Sequence, residues 1–241
     1  MARGSPYPAR PGSQVKSGLV VAVMQPYFYP YAGYFRLLAV ADLFVILDDV
    51  QFPRRGRVHR CEMPRHAGGS TWLTLPLTRQ SRHVRIRDLA FREDARATLD
   101  ERLRAFPWLA HGQGPLATGV REHLWGKLPT PAAFLEAGLG LVADALGLPA
   151  RRVRSSSLDV DRAQQGQDYI IALAQAVGAE VYINAPGGRA LYDPARFAAA
   201  GLCLRFLEPY DGRVRYLLPA LVSEDPATLR RDILDRLTLV P

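Results

Sequence analysis

Short apolar runs and helical apolar spacings alternate along the chain. Residues 19–24, LVVAVM, form a continuous valine-rich run, which is typical of a strand buried on both faces. Residues 31–41 then carry apolar side chains at helical spacing, and residues 43–47, LFVIL, return to a buried strand. The first part of the chain therefore predicts a compact β–α–β unit.

The same alternation continues toward the C-terminus. Further strands are predicted at 58–63, 71–75, 153–158, 181–184 and 202–207, and further helices at 92–105, 132–146, 168–177, 194–200 and 226–237. Residues 107–131 are rich in glycine and proline and are predicted to be irregular. Strands that alternate with helices favour a Rossmann-like α/β fold: one mainly parallel sheet with helices on both faces, and a helical insertion. We expect a flexible tail at 1–17 and a single domain at 18–241.

Composition narrows the class of protein without choosing a function. The hydrophobic fraction of 48% and the charged fraction of 22% are typical of a globular protein. No apolar run approaches the roughly 20 residues that cross a bilayer, and the N-terminal residues do not match a signal peptide, so a cytoplasmic protein with no membrane association is expected. Cys61 and Cys203 are too few for a disulfide framework or a zinc cluster, and no metal is expected. The formal charge of +8 comes without an aromatic-interleaved basic stripe, so we expect no nucleic-acid partner.

Polar clusters follow three of the predicted strands. They lie at 25–27, 48–51 and 184–188. In an open parallel sheet, ligands bind at the carboxyl ends of the strands, where the loops into helices converge. The sequence therefore predicts one site to which all three clusters contribute.

Asp48 and Asp49 form the most suggestive pair. Adjacent carboxylates after a strand are expected to point to opposite sides, so that one of them would face a pocket. That carboxylate could act as a general base or hold a substrate ammonium group. The alternative is that both aspartates cap the turn and balance Arg54 and Arg60.

Two other features could supply chemistry. Gly187 and Gly188 could present backbone N–H groups to a phosphate or an oxyanion, or could simply form a turn. His59 and Cys61 lie two residues apart in a predicted strand and, with an aspartate, could perform covalent acyl transfer, although such side chains seldom reach hydrogen-bonding distance. The loop at 25–34 imitates the spacing of nucleotidylyltransferases but lacks their histidines, and it could equally shape a tight turn.

Three strings together resemble the WbqC-like protein family: MQPYFYPYAGYFRLLAVADLFVILDDVQF, WLTLP and YINAPGGRALYDPARFAAAGLCLRF. The resemblance extends from about residue 20 to the C-terminus. Members occur in bacterial polysaccharide and natural-product gene clusters, and some are described as glycine or aminoacyl transferases that acylate an amino group. The chain departs from the family at 59–62, where HRCE stands in place of a stretch resembling NRNR, and the family's lysine-histidine element is absent from 91–105. The signature positions present are Gln25, Pro26, Tyr27, Pro30, Gly33, Tyr34, Asp48, Asp49, Gln51, Arg60, Trp72, Pro76, Gly187 and Gly188.

The resemblance implies an enzyme that forms an amide between an acyl or aminoacyl group and an amine-bearing small molecule. The donor would be a thioester of CoA or of a carrier protein rather than a tightly bound cofactor, and a homodimer is compatible with this. Two alternatives stay open: a nucleotidylyltransferase-like or nucleotide-binding enzyme, and a non-catalytic partner protein in a biosynthetic cluster. The candidate catalytic residues are Asp48, Asp49, His59 and Cys61, and the candidate substrate-binding residues are Gln25, Tyr27, Tyr34, Gln51, Arg54, Arg60, Asn184, Gly187 and Gly188.

Within that set, we assign distinct roles from what amide formation requires. One aspartate would be the base or the ammonium anchor, and His59 the alternative base. The amides of Gly187 and Gly188 would stabilise the oxyanion. The two glutamines would orient the substrate, and the two arginines would meet an anionic donor.

Overall fold

A computed structural model describes residues 18–65 and 67–241, so the tail predicted at 1–17 lies outside the described residues. The strands are β1 (Val20–Met24), β2 (Leu43–Ile46), β3 (Arg60–Pro64), β4 (Ser70–Thr74), β5 (Arg151–Arg154), β6 (Val181–Asn184), β7 (Cys203–Leu207) and β8 (Leu239–Val240). The α-helices are α1 (Phe35–Val40), α2 (Ala95–Leu103), α3 (Pro107–His111), α4 (Ala117–Trp125), α5 (Pro131–Ala145), α6 (Gly166–Ala176), α7 (Pro194–Ala199), α8 (Leu217–Ser223) and α9 (Pro226–Leu234). Short 3₁₀ helices lie at Ala32–Tyr34, Ile86–Asp88, Ser155–Ser157 and Pro186–Leu191.

The main sheet has six strands in the order β5-β2-β1-β6-β7-β8. All neighbours are parallel except β8, which runs antiparallel to β7. Counted within this sheet alone, the order is 3-2-1-4-5-6, the arrangement of dinucleotide-binding α/β folds. The predicted Rossmann-like fold is confirmed, and the order of the strands reverses between β1 and β6.

Alternate side chains of β1 enter two separate apolar cores. Val20 and Ala22 pack into the core that contains α1, whereas Val21 and Val23 pack into the core that contains α6 and α7. A strand buried on both faces needs a continuous apolar run, which explains the valine-rich sequence. The prediction of helices on both faces is therefore confirmed.

The segment between β2 and α5 contains a β-hairpin as well as helices. Strands β3 and β4 pair antiparallel, with Arg60 opposite Thr74 and Glu62 opposite Trp72. The other face of the hairpin places Cys61, Met63 and Leu73 in the larger core. Only one face of the hairpin is thus available to ligands.

Several predictions about individual elements were wrong. Residues 107–131 are not irregular, because α3 and α4 form there, and Pro107 occupies the start of α3 where its missing N–H costs nothing. The strand predicted at 153–158 ends at Arg154 and continues as a 3₁₀ helix. The turn predicted after β6 is also a 3₁₀ helix, Pro186–Leu191. Helix α8 and strand β8 were not predicted.

Within residues 18–65 and 67–241, no helix combines the length and the apolar character that crossing a membrane requires.

Candidate functional site

A cleft of about 280 Å³ opens where the order of the strands reverses. Its walls come from the loop after β1 and from the segments that follow β6 and β7. This is the position at which open α/β sheets bind ligands. We call it the strand-end cleft; it is lined by Tyr31, Gly33, Pro186, Gly187, Glu208 and Tyr210, among others.

At position 187, neither the backbone conformation nor the packing explains why the residue is glycine. Its φ lies outside the left-handed range, and a Cβ at this position would meet no atom within 4 Å. The missing side chain instead leaves the cleft open. Gly188 differs, because a Cβ there would stand 2.7 Å from the Asn184 amide nitrogen, and its own N–H donates to the Ala185 carbonyl at 2.9 Å. Of the predicted glycine pair, only Gly187 faces ligand space.

The loop after β1 is held in an unusual conformation. Tyr29 has a φ of 40°, in the left-handed region that costs a non-glycine residue energy. Its buried hydroxyl bonds to Nδ1 of His123 at 2.8 Å, and Nε2 of His123 lies 2.9 Å from the Phe134 carbonyl. Because that carbonyl can only accept, Nε2 carries the proton and Nδ1 accepts from the tyrosine. Helices α4 and α5 thus fix the turn that carries Tyr31 into the cleft.

Beside the cleft, two arginines stack on Trp72 of the hairpin's outer face, and one of them also lies over Tyr31 of the loop after β1. The guanidinium of Arg57 lies 5.7 Å from the ring centre of Tyr31 and 5.3 Å from that of Trp72, while Arg60 lies 4.3 Å from Trp72. Tyr31 and Trp72 are 37% and 40% exposed, so these rings are open to a ligand. Glu62 pairs with Arg57 at 3.5 Å. We call Arg57, Arg60 and Trp72 the arginine–tryptophan strip, and it adjoins the cleft at Tyr31.

The two aspartates accept hydrogen bonds in a buried polar network. Asp48 accepts hydrogen bonds from the Ser156 N–H (3.0 Å) and from the Ser156 hydroxyl (2.8 Å), and its carboxylate lies 3.1 Å from the Ser155 hydroxyl oxygen. Asp49 accepts from the same Ser155 hydroxyl (2.5 Å), from Arg162 (3.1 Å) and from the Tyr169 hydroxyl (2.6 Å). Every carboxylate oxygen of the pair has at least one donor. We call this network the aspartate lock, since it ties the end of β2 to the segment after β5 and to α6.

The expected geometry of the aspartates was wrong in two respects. They do not point to opposite sides, because the chain bends after Leu47 and both carboxylates meet Ser155. Their cationic partner is Arg162 rather than Arg54 or Arg60. Burial alone would raise the pKa of Asp49, but hydrogen bonds from Ser155, Tyr169 and Arg162 hold it below its ordinary value. Asp49 is therefore a stable anion, which makes it a poor proton acceptor.

His59 and Cys61 are not brought together. The Cys61 sulfur is buried in the core, where its nearest polar contact is the Met63 sulfur at 3.9 Å, and burial raises the pKa of the thiol. His59 precedes β3 and stacks edge-on against Phe52 at 5.0 Å, with Nδ1 buried and unpartnered. Burial, and then the charges of Arg60 and Arg102, lower the pKa of His59 to about 4. The imidazole is thus neutral near pH 7, whereas the thiol is protonated and inaccessible.

The remaining predicted binding residues are dispersed. Gln25 is half-buried, and its carbonyl accepts from the Tyr34 hydroxyl at 2.8 Å. The Tyr27 ring lies 5.4 Å from that of Tyr34, and burial raises the Tyr27 pKa while Arg57 opposes the rise. Buried Asn184 accepts from the Ala185 N–H at 2.7 Å. Two residues point elsewhere, with Gln51 donating to the Arg82 carbonyl and Arg54 to the Gln80 carbonyl.

Sequence reasoning missed Arg57, Tyr31, Glu208 and Tyr210. Signals existed for the first two, since Arg57 lies in the dense basic run RRGRVHR and Tyr31 in the quoted string MQPYFYPYAGYF. A signal existed for the other two as well, since Glu208 and Tyr210 directly follow the strand predicted at 202–207. Among the described residues, no three His, Cys, Asp or Glu side chains group in a way that could hold a metal ion.

This combination of strand order, loop and strand-end cleft defines an α/β protein with a candidate ligand site at the switch point of its sheet. The WbqC-like protein family matches residues 25–216, and the chain belongs to that family. The chain is also similar to the uncharacterized protein Rv1507c of Mycobacterium tuberculosis, with 26% identity over 195 residues that cover 80% of this chain and 83% of the relative. No solved structure matches.

Proposed function

We propose that this protein is a transferase that joins an acyl or aminoacyl group to an amine-bearing small molecule. One observation carries the proposal: a cleft suited to a cation and a strip suited to an anion share Tyr31 as a common wall. Transfer from an anionic activated donor to an ammonium-bearing acceptor needs these two chemistries side by side, because most of the rate gain comes from holding the reactants together.

The strand-end cleft supplies the acceptor half. Glu208 offers a carboxylate whose side chain remains 41% exposed while it pairs with Arg189 at 3.0 Å. The rings of Tyr31 and Tyr210 provide the aromatic faces that attract a cationic amine. Because the aspartate lock has no free oxygen, we assign the role of ammonium anchor to Glu208 rather than to Asp48 or Asp49.

The arginine–tryptophan strip supplies the donor half. Arg57 and Arg60 keep guanidinium N–H groups beside the exposed Trp72 ring, which could hold the anionic and the apolar parts of a thioester donor. In the reaction, the ammonium group would first give one proton to solvent; the free amine nitrogen would then attack the carbonyl carbon, and the C–S bond would break. The departing thiolate would take the proton that the amine loses. The buried Cys61 thiol has no part in this scheme.

Mass spectrometry of the protein incubated with amines and acyl thioesters, both CoA esters and acylated carrier proteins, tests the proposal. Gly187→Leu should fill the cleft and lower kcat/KM at least ~10-fold. Glu208→Gln should raise KM for the amine with kcat largely retained. The matched controls are Gly140→Leu on α5 and Glu101→Gln on α2, which lie outside the cleft and should behave as wild type. Absence of amide with every donor, or equal loss in variants and controls, would contradict the proposal.

The order of the strands also favours a second candidate, a nucleotide-binding or nucleotidyl-transferring enzyme. Against it, the loop after β1 presents aromatic side chains where dinucleotide-binding folds carry a glycine-rich phosphate loop. The two candidates separate in a pyrophosphate-release assay with ATP or CTP. Release that depends on the amine would favour nucleotidyl transfer, and amide formation without it would favour the thioester route.

A further inference from the structure

A second recess, with a volume of about 370 Å³, is lined by four arginines and His59. It lies where the segment before β3, the end of β4, the loop at 75–80 and α2 meet. None of its lining residues belongs to the strand-end cleft. We call it the arginine recess, and its arginines are Arg54, Arg79, Arg92 and Arg102.

The positive charge of the recess is largely uncompensated. Arg54 and Arg102 donate to the Gln80 and Thr74 carbonyls, each at 2.6 Å, which neutralises no charge. In the described part of the chain Arg79 has no ion pair, and of the four arginines only Arg92 pairs with a carboxylate, that of Asp94. No acidic side chain lines the recess. Guanidinium groups that bind carbonyls through one nitrogen keep other N–H groups for a ligand.

His59 gives independent support for a ligand. Its Nδ1 is buried and has no hydrogen-bond partner, a condition that costs free energy unless something fills it. The ring is held by Phe52, so Nδ1 cannot readily turn to solvent. Burial first, and then the positive charges of Arg60 and Arg102, lower the pKa of His59 and keep the imidazole neutral. A bound anion would offset those charges and favour the protonated ring.

The number of arginines favours phosphate over carboxylate. A carboxylate has two oxygens and is filled by one arginine fork, whereas a terminal phosphate group offers three free oxygens and suits several forks at once. The phosphodiester of a phosphopantetheine arm offers two. A neighbouring cavity of about 430 Å³ shares Phe52 and Arg54 as walls and adds Arg82. The ligand therefore has room to continue beyond its phosphate.

We propose that the arginine recess binds a phosphate group of a phosphorylated ligand through Arg54, Arg79 and Arg102, with His59 as a further contact. The inference rests on the proposed transfer reaction only in naming the ligand as its donor. The phosphate could belong to free CoA or to the phosphopantetheine arm of a carrier protein. The binding itself requires no turnover.

Isothermal titration with inorganic pyrophosphate, CoA, and carrier protein with and without its phosphopantetheine arm tests the proposal. Binding should weaken as salt rises and should fall at least ~10-fold in Arg54→Gln/Arg79→Gln. The control Arg215→Gln/Arg230→Gln removes the same charge from elsewhere and should retain binding. The His59 ring signals in NMR should shift on saturation. Arg79→Gln alone, which breaks no hydrogen bond or ion pair within the described structure, guards against misfolding of the double variant.

Each outcome bears on the proposal. Binding of pyrophosphate and CoA that depends on Arg54 and Arg79 supports a free donor. Binding confined to the armed carrier protein, with the same dependence, supports the carrier source. The absence of saturable binding at low salt, or an equal loss of binding in the control variant, would contradict the proposal that the recess binds phosphate. Anion binding without amide formation would support the phosphate site and contradict the proposed transferase function. Amide formation that is insensitive to Arg54 and Arg79 would support the transferase function and contradict the phosphate site.

Discussion

The aspartate lock and the arginine recess both contain many charged groups, yet they differ in how many further hydrogen bonds and ion pairs their polar atoms can form. In the lock, every carboxylate oxygen already accepts from serine, arginine or tyrosine. In the recess, three arginines lack a carboxylate within the described structure and an imidazole nitrogen lacks any partner. Charged residues that have satisfied one another hold the fold together, whereas charged residues with unused bonding capacity indicate where a ligand belongs.

Removing charge from the lock should have the largest effect on stability. Asp49→Asn leaves Arg162 without its anion and places an amide against the Ser155, Arg162 and Tyr169 donors. We expect a loss of about 3 kcal/mol in the free energy of unfolding, measured by urea denaturation. Asp144→Asn, which breaks the exposed ion pair with Arg152, should cost less than about 0.5 kcal/mol. A fully stable Asp49→Asn protein that had lost transfer activity would instead make Asp49 catalytic.

The two cysteines differ in the same way as the two charged regions, because one is buried in the core and the other is exposed. Cys61→Ser would bury a hydroxyl among sulfur and carbon atoms and should cost about 2 kcal/mol, while Cys203→Ser on the exposed side of β7 should be neutral. In the native protein a thiol reagent should modify Cys203 alone, and Cys61 should react only after unfolding. Rapid native labelling of Cys61 accompanied by loss of activity would restore it as a nucleophile.

The titration of His59 provides a smaller effect with a definite sign. Its folded-state pKa of about 4 lies below the ordinary value of 6.5, because of burial and the charges of Arg60 and Arg102. The stabilising contribution is therefore present above pH 6.5 and is lost as the pH falls from about 6.5 toward 4. We expect a loss of about 1 kcal/mol after allowing for partial exposure of the ring. Burial also lowers the pKa of His123, so the quantity to measure is the difference between wild type and His59→Gln.

That difference can be measured by urea unfolding at pH 7 and pH 5. Saturating pyrophosphate should shrink it, because a bound anion favours the charged imidazole. A difference that pyrophosphate leaves unchanged would separate His59 from the ligand site.

Neutralising the recess should have the smallest effect on stability. Arg54→Gln/Arg79→Gln relieves repulsion between like charges and breaks only the Arg54 bond to Gln80. The free energy of unfolding should stay within about 0.5 kcal/mol of wild type or rise slightly. A large destabilisation in urea would mean that these arginines serve the fold, and the contrast with the lock would disappear.

The fold was readable from the sequence where local pattern decides structure. Valine-rich runs gave β1 and β2, because burial on both faces demands continuous apolar side chains. The pattern failed at α3, because the glycine and proline content of 107–131 predicted an irregular stretch although Pro107 lies at the start of a helix. Helix α8 was not predicted at all.

The site was only partly readable, because its partners are remote in sequence. The strand ends located Gly187 correctly at the rim of the sheet. Asp49, however, meets Arg162 and Tyr169 across 113 and 120 residues, so no local pattern could distinguish a satisfied carboxylate from a free one. Arg57 was overlooked for a similar reason, since its importance comes from two aromatic rings supplied by separate segments.

Arg36 of α1 has a consequence for how the chain is made. Its guanidinium is 1% exposed and binds the carbonyls of Ile233 and Asp235, each at 2.6 Å, at the end of the last helix. The hydrogen-bond acceptors of a cation in the first helix thus lie 197 and 199 residues later in the chain. During synthesis on the ribosome, the first helix cannot form these contacts with α9 until α9 has left the exit tunnel. A chain cut before α9 would leave the Arg36 guanidinium without these two acceptors.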